Sequence, residues 1–341
     1  MKKHLSLLLL FTYLISGLFA QKTAVTDLIS QGIKLHDKGD YTGAIALYKK
    51  ALVLDKRSAH ANYEIASSYF SMKDHANTVK YSNIVIALNI DYVDQAYMLK
   101  GSAQDLSGKP REAVKTYIQA LKKYTNNYLL YYNLALTSFN LKEHKDADNA
   151  LQKALKINPY HASSHLLLAY SMLVQENRVK GILALYNFLL LEPKSSRTAG
   201  ALKLLEEQLK GGIKKNNEKS VTITLPGKKD TDEFYTAELM LGLLESSKSN
   251  ETNKSKSAAA LFAENTNSFF TILGEIKKNK KGFWWDFYVD YFYALATNNH
   301  TEAFCYYIAQ SKDDTYTQWV QNNLEKAEAF STWYTKYLHK F

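Results

Sequence analysis

One cysteine, Cys305, stands alone among 341 residues. A single thiol closes no internal disulfide, so packing has to hold the fold. In its context, AFCYYI, it has no spaced histidine or carboxylate to activate it and reads as a small core residue. Prolines number only 4. Two of them, in Asn158-Pro159 and Glu192-Pro193, mark helix ends, because proline cannot continue a helix. Beyond the first twenty residues no apolar run is long enough to span a bilayer. There is no Gly-rich phosphate loop, no Gly-x-Ser-x-Gly elbow and no His-Glu-x-x-His helix, which removes the commonest sequence signs of nucleotide, ester and zinc-dependent chemistry. His161 and His165 lie one helical turn apart, but zinc needs at least a third ligand and none is evident nearby. They read as surface histidines at a helix start. No metal and no cofactor is expected.

Apolar mass, by contrast, is ample: 46% of residues are hydrophobic, with 25 Tyr and 15 Phe. The length suits two or three domains. The formal charge of +10 is moderate, and the cations are scattered. The one tight cluster, Lys277, Lys278, Lys280 and Lys281, falls at the C-terminal end of a helical pattern, where cations complement the helix dipole. Nucleic acid is therefore not an expected partner. Residues 1–20 have the form of an export signal. Lys2 and Lys3 supply the positive start, Leu5 to Leu18 an apolar stretch short for a spanning helix, and Ala20 a cleavage point before Gln21. Removing Lys2 and Lys3 with the leader brings the charge from +10 to +8. This start, with the lone cysteine, suits a bacterial envelope protein, periplasmic or secreted.

The remainder is built on a repeat. Gly101, Gly108, Ala113, Tyr117 and Ala120 fall at offsets 0, 7, 12, 16 and 19, and so do Gly32, Gly39, Ala44, Tyr48 and Ala51. Ala135, Lys142, Ala147, Leu151 and Ala154 follow more loosely. The anchors Gly32, Ala66, Gly101, Ala135 and Ala169 are 34, 35, 34 and 34 residues apart. A period of this size reads as a solenoid whose units bury their apolar faces against their neighbours. Small residues let two helices cross closely. Gly32 or Gly101 does this on the first helix of a unit, Ala44 or Ala113 on the second. Tyr48 or Tyr117, four residues further on, fills the same face. Gly39 and Gly108 sit where a tight turn between helices must be made.

These spacings resemble the tetratricopeptide repeat (TPR) family over residues 25–195, five units, with Thr78, Ser82 and Val85 departing from the pattern in the second. The resemblance implies an all-α fold, a TPR-type right-handed α-solenoid of helical hairpins followed by a C-terminal helical domain. It also implies a protein-binding scaffold without catalysis. In the family the first helix of each unit lines the inner surface. By that rule the inner face comprises Tyr63, Phe70, Met98, Tyr132, Leu136, Phe139, Tyr170 and Leu173. None is Lys or Arg, which argues against a clamp for a C-terminal carboxylate. An aromatic face suits an apolar peptide or an amphipathic helix. Equally open is that these side chains pack on a neighbouring unit or on the chain's own C-terminal half.

Residues 196–210 read as a capping helix, with Leu202, Leu205 and Leu209 on one stripe. Residues 211–230 read as a linker with a possible short strand, since Val221, Ile223 and Leu225 alternate with threonines but no partner strand is evident. Residues 231–341 carry helical spacing throughout. Within them, GFWWDFYVDYFYA surrounds Asp286 and Asp290 with aromatics. That admits an alternative function, a carbohydrate-binding or hydrolytic C-terminal domain carried on a TPR arm. The plainer reading is an amphipathic helix with the aromatics in the core.

Overall fold

The computed structural model describes residues 21–217, 220–223, 233–248 and 250–338. The export segment, Leu225 of the strand pattern and the last three residues of the final helical pattern lie outside them. The chain divides into two compact units, residues 1–157 and 158–341.

The first unit is four helical hairpins. Helix α1 covers 21–37. It is followed by α2 (Tyr41–Leu54), α3 (Ala59–Ser71), α4 (His75–Leu88), α5 (Val93–Leu106), α6 (Pro110–Leu121), α7 (Tyr128–Asn140) and α8 (His144–Ile157). Capping starts several of them: the carboxylates of Asp40 and Asp74 and the hydroxyl of Ser58 accept from backbone N–H groups three residues on, and Pro110 opens α6. The turn inside each hairpin is one repeated device. A residue with positive φ stands at Gly39, Lys73, Gly108 and Lys142. The next N–H bonds back to a carbonyl five residues earlier, as in Asp40 to Leu35 and Lys109 to Gln104, both 2.9 Å. This is a Schellman-type closure.

Packing follows the small-against-large logic. A Cβ on Gly32 would lie 2.3 Å from Tyr48 Cε1, and one on Gly101 2.4 Å from Tyr117 Cε1. Only glycine lets the buried tyrosine of the second helix lie across the first. Each helix from α2 to α7 packs on its successor. In addition α3 packs on α5 and α5 on α7, so the first helices of successive units stand side by side.

The second unit opens with a fifth hairpin, α9 (Ala162–Val174) and α10 (Arg178–Leu191), then α11 (Thr198–Lys210). Strands β1 (Ile213–Asn217) and β2 (Ser220–Ile223) form an antiparallel pair with Ile213 opposite Ile223. The strand pattern around Val221 thus has its partner in residues that read as linker. Lys214, Lys215 and the two asparagines carry no apolar alternation, so nothing in β1 announced it. Helices α12 (Tyr235–Ser247), α13 (Ala258–Lys277), α14 (Asp290–Thr297), α15 (Thr301–Ile308), α16 (Asp314–Asn322) and α17 (Leu324–Leu338) complete the unit. A π-helical turn, Trp284–Val289, leads into α14.

Helix α10 is buried on nearly all sides, as a helix must be when apolar residues surround it. Tyr186 lies amid Phe262, Phe270, Phe292 and Phe304 and hydrogen-bonds Thr266 at 2.9 Å. Arg178 and Glu238 join α10 to α12 by a buried ion pair of 2.7 Å, and Glu238 also accepts from Val179 N–H at 3.1 Å. The hairpin turn between α14 and α15 repeats the Schellman closure, with Asn299 at positive φ and His300 N–H bonded to the Leu295 carbonyl at 3.0 Å. Both helices nevertheless pack on α13. Its turn is built like those of the repeats, while its packing is that of a different bundle.

A candidate protein-binding face

In the first unit Tyr63 and Phe70 are seven residues apart on α3, and Tyr132, Leu136 and Phe139 follow at four and three on α7. Each set therefore shares one face of its helix. Met98 occupies the matching place on α5. Because α3, α5 and α7 adjoin in that order, these six side chains belong to one row of first helices. All six are half-buried. No Lys or Arg is among them.

Local contacts order the row. The Tyr63 ring stacks on Tyr92 with centroids 5.0 Å apart, and His60 stacks on the same Tyr92 at 4.7 Å. Burial, and then the nearby Glu64, raise the Tyr63 phenol above its ordinary range, so it stays a neutral hydrogen-bonding group. Phe70 meets His75 edge-on at 6.2 Å and Phe139 meets His144 at 5.4 Å, the same pairing in two units. Met98 packs against the cluster of Val93, Tyr97, Ala113 and Tyr117. The acidic groups on these helices are engaged. Asp94 accepts from Asn127 Nδ2 at 2.9 Å, and Asp105 from Thr137 Oγ1 at 2.7 Å.

Tyr170 lies in the second unit, on α9, and is 40% exposed. Leu173 turns onto its own hairpin, where a Cβ on Gly181 would come 2.5 Å from Leu173 Cδ2. Sequence reasoning missed Tyr92. It sits at positive φ in the N-cap of α5, outside any helical stripe. The spacing of five residues across each turn, Phe70 to His75 and Phe139 to His144, was the readable signal for the other pairs.

The two aspartates of the aromatic segment in the second unit are engaged by a lysine. Asp286 and Asp290 both face Lys277 Nζ, at 3.0 and 2.6 Å, and Asp286 also accepts from Gly282 N–H at 2.8 Å. The Gly282 bond, then Lys277, hold the Asp286 carboxyl below its usual range. Two carboxylates sharing one cation on one helical face do not flank a bond from opposite sides, which disfavours the hydrolytic alternative. Trp284, Trp285, Tyr288 and Tyr291 beside them are buried.

His165 corrects the expectation of a surface residue. It is fully buried, with Nδ1 2.7 Å from the Tyr288 hydroxyl and Nε2 2.9 Å from the Pro159 carbonyl. Nε2 must donate to that carbonyl, so Nδ1 accepts from the phenol. Neither nitrogen is left for a metal. Among the described residues no three His, Cys, Asp or Glu side chains converge to hold one, and no helix is long and apolar enough to cross a membrane. Cys305 is buried and its thiol is pushed well up by desolvation.

Comparison with known families places two segments of the first-unit repeats directly. The TPR repeat family matches residues 32–73, and the Tetratricopeptide repeat family matches 128–161, which ends just inside the second unit.

The chain carries tetratricopeptide repeats.

TPR repeats serve as protein-interaction scaffolds, generally without catalysis. The chain is also similar to Protein O-mannosyl-transferase TMTC3 of Homo sapiens, 38% identical over 68 residues, which is 20% of this chain and 7% of that protein. It thus spans only a small part of that relative's length. Among solved structures it is similar to PilF of Pseudomonas aeruginosa (TM-score 0.46, 17% identity, 56% of this chain and 90% of that one). It is likewise similar to YrrB, a TPR protein with an unusual peptide-binding site (TM-score 0.43, 18% identity, 55% of this chain and 98% of that one).

Proposed function

We propose that this TPR chain is a non-catalytic adaptor of the bacterial cell envelope, periplasmic or secreted, that holds an apolar peptide or an amphipathic helix of a protein partner. One observation carries the reading: the adjoining first helices of the first unit present Tyr63, Phe70, Met98, Tyr132, Leu136 and Phe139 half-buried along one face, with no Lys or Arg among them. Aromatic side chains anchored on rigid helices bury large apolar area at little entropic cost, which is how helix-in-groove recognition gains affinity. The envelope assignment rests on Lys2, Lys3, the apolar stretch Leu5–Leu18 and Ala20.

The test is capture of partners from envelope extract by the mature protein, with a folded Tyr132→Ala/Phe139→Ala variant as control. The reading expects a protein retained by the wild type and lost from the variant. Equal capture by both would exclude this face. N-terminal sequencing of the cellular protein should begin at or near Gln21; an intact Met1 in the cytosol would remove the export claim and leave the face to be judged separately.

A further inference from the structure

The second unit encloses a half-open cavity of about 280 Å³ between α10, α15, α16 and α17. Its origin is legible in the side chains. The inner stripe of α17 runs Ala327, Phe330, Ser331, Tyr334, at the three- and four-residue spacing that faces a core. Two of those four positions hold small residues, and Ala303 on α15 across from them is small as well. Phe330, only 5% exposed, is fixed by ring contacts to Phe304, Tyr307 and Tyr334 at 6.1–6.2 Å. The neighbouring large side chains are therefore committed and do not collapse into the space. Protein interiors hold few voids larger than a water. This one has room for several waters, at about 30 Å³ each, and exceeds the roughly 150 Å³ that suffices for benzene in an apolar cavity.

The chemistry of the wall narrows the occupant. Most of it is carbon, from Leu190, Val320 and the residues above. The polar groups are the phenols of Tyr307 and Tyr334, the Ser331 hydroxyl and the Glu328 carboxylate at the exposed rim. Among the described residues no Lys, Arg or His lines it. We propose that this cavity is a binding site for a compact, uncharged molecule of about two fused rings that carries one hydroxyl or amine to meet the tyrosine hydroxyls. Anionic ligands of the same size are disfavoured, because among the described residues the one formal charge lining the site, Glu328, is negative. The site is independent of the protein-binding face on the first unit. Burial keeps both phenols protonated, and so able to donate as well as accept.

The probes are 2-naphthol and its anionic relative 2-naphthoate, titrated calorimetrically into the full mature chain at neutral pH. Naphthol should saturate one site per chain and raise Tm with concentration. Naphthoate should bind about tenfold more weakly or worse. Ala327→Phe fills the space and should abolish naphthol binding without lowering Tm; Ser331→Leu, at an exposed position, is the second filler should the first fail to fold. Glu328→Lys, also at an exposed position, should bring naphthoate binding up to that of naphthol. Absence of saturable naphthol binding to the wild type, unchanged binding in a folded filled variant, or equal affinity for the anion would each overturn the proposal.

Discussion

Gly101→Ala tests the packing rule on which the repeats depend. In most helix interiors this substitution stabilises, by about 1 kcal/mol, because alanine has the higher helix propensity. Here the new Cβ would fall 2.4 Å from Cε1 and 2.5 Å from Cζ of Tyr117. Ordinary contact begins about 1 Å further out, so the ring or the helix must move. The ring has little freedom: Tyr117 is 1% exposed and its hydroxyl is 3.1 Å from Ser102 Oγ. Overpacking of this kind costs about 1–3 kcal/mol, which outweighs or cancels the propensity gain. Gly200 on α11 supplies the control, since a Cβ there meets nothing within 4 Å. Gly200→Ala should stabilise by about 0.5–1 kcal/mol. Urea unfolding followed by circular dichroism should thus raise the midpoint for Gly200→Ala and lower it, or leave it unchanged, for Gly101→Ala. A double-mutant cycle of Gly101→Ala with Tyr117→Leu should show coupling of about 0.5–3 kcal/mol in the relieving direction. Equal stabilisation by both glycine substitutions, with no coupling to Tyr117, would refute the close-crossing account of the repeat.

Three further outcomes are expected. Burial lowers His165 from its ordinary 6.5 to about 4, so the folded chain leaves it neutral while the unfolded chain protonates it. Its contribution is fully present above pH 6.5 and is lost as pH falls toward 4, by about 1.4 kcal/mol per unit or roughly 3 kcal/mol in all; denaturation midpoints should fall more steeply with acid in the wild type than in His165→Gln. Arg178→Met strands the buried Glu238 carboxylate and should cost about 3–5 kcal/mol, with much of the loss recovered in Arg178→Met/Glu238→Leu; equal stability of the wild type and both variants would contradict the buried pair. Asp286→Asn with Asp290→Asn removes both carboxylate partners of Lys277 and should leave partner capture intact; a folded variant that loses capture would return the chemistry to that cluster.

The repeat and its turns were legible because they depend on backbone needs that few residues meet. Gly32 and Gly101 reveal a close crossing, Gly39 and Gly108 a left-handed turn. Lys73, Lys142 and Glu176 adopt positive φ at the corresponding turn positions, and no residue type marks that, so period alone carried those units. The candidate face was readable as residue positions on the first helices, since helical spacing fixes which side chains share a side. Tyr92 was hidden because its place depends on an N-cap conformation, not on periodicity. In the second unit, long-range pairings decided what spacing could not. His165 looks like a polar residue at a helix start until Tyr288, far along the chain, supplies its partner. The aspartates admitted a hydrolytic alternative beside the plainer amphipathic-helix reading, and their pairing with Lys277 at the end of α13 could not be read from spacing.

The central claim, that the first-helix face of the first unit holds a protein, is tested most directly by site-specific photo-crosslinking in living cells. A benzophenone amino acid placed at Tyr132 or Phe139, both half-buried on α7, should yield a discrete crosslinked protein. The same group at Val53 on α2 or Ile118 on α6, 77% and 47% exposed, should yield none, although these side chains are the more accessible. Crosslinks from the two control positions alone, or none at 132 and 139 in a folded chain, would contradict the account.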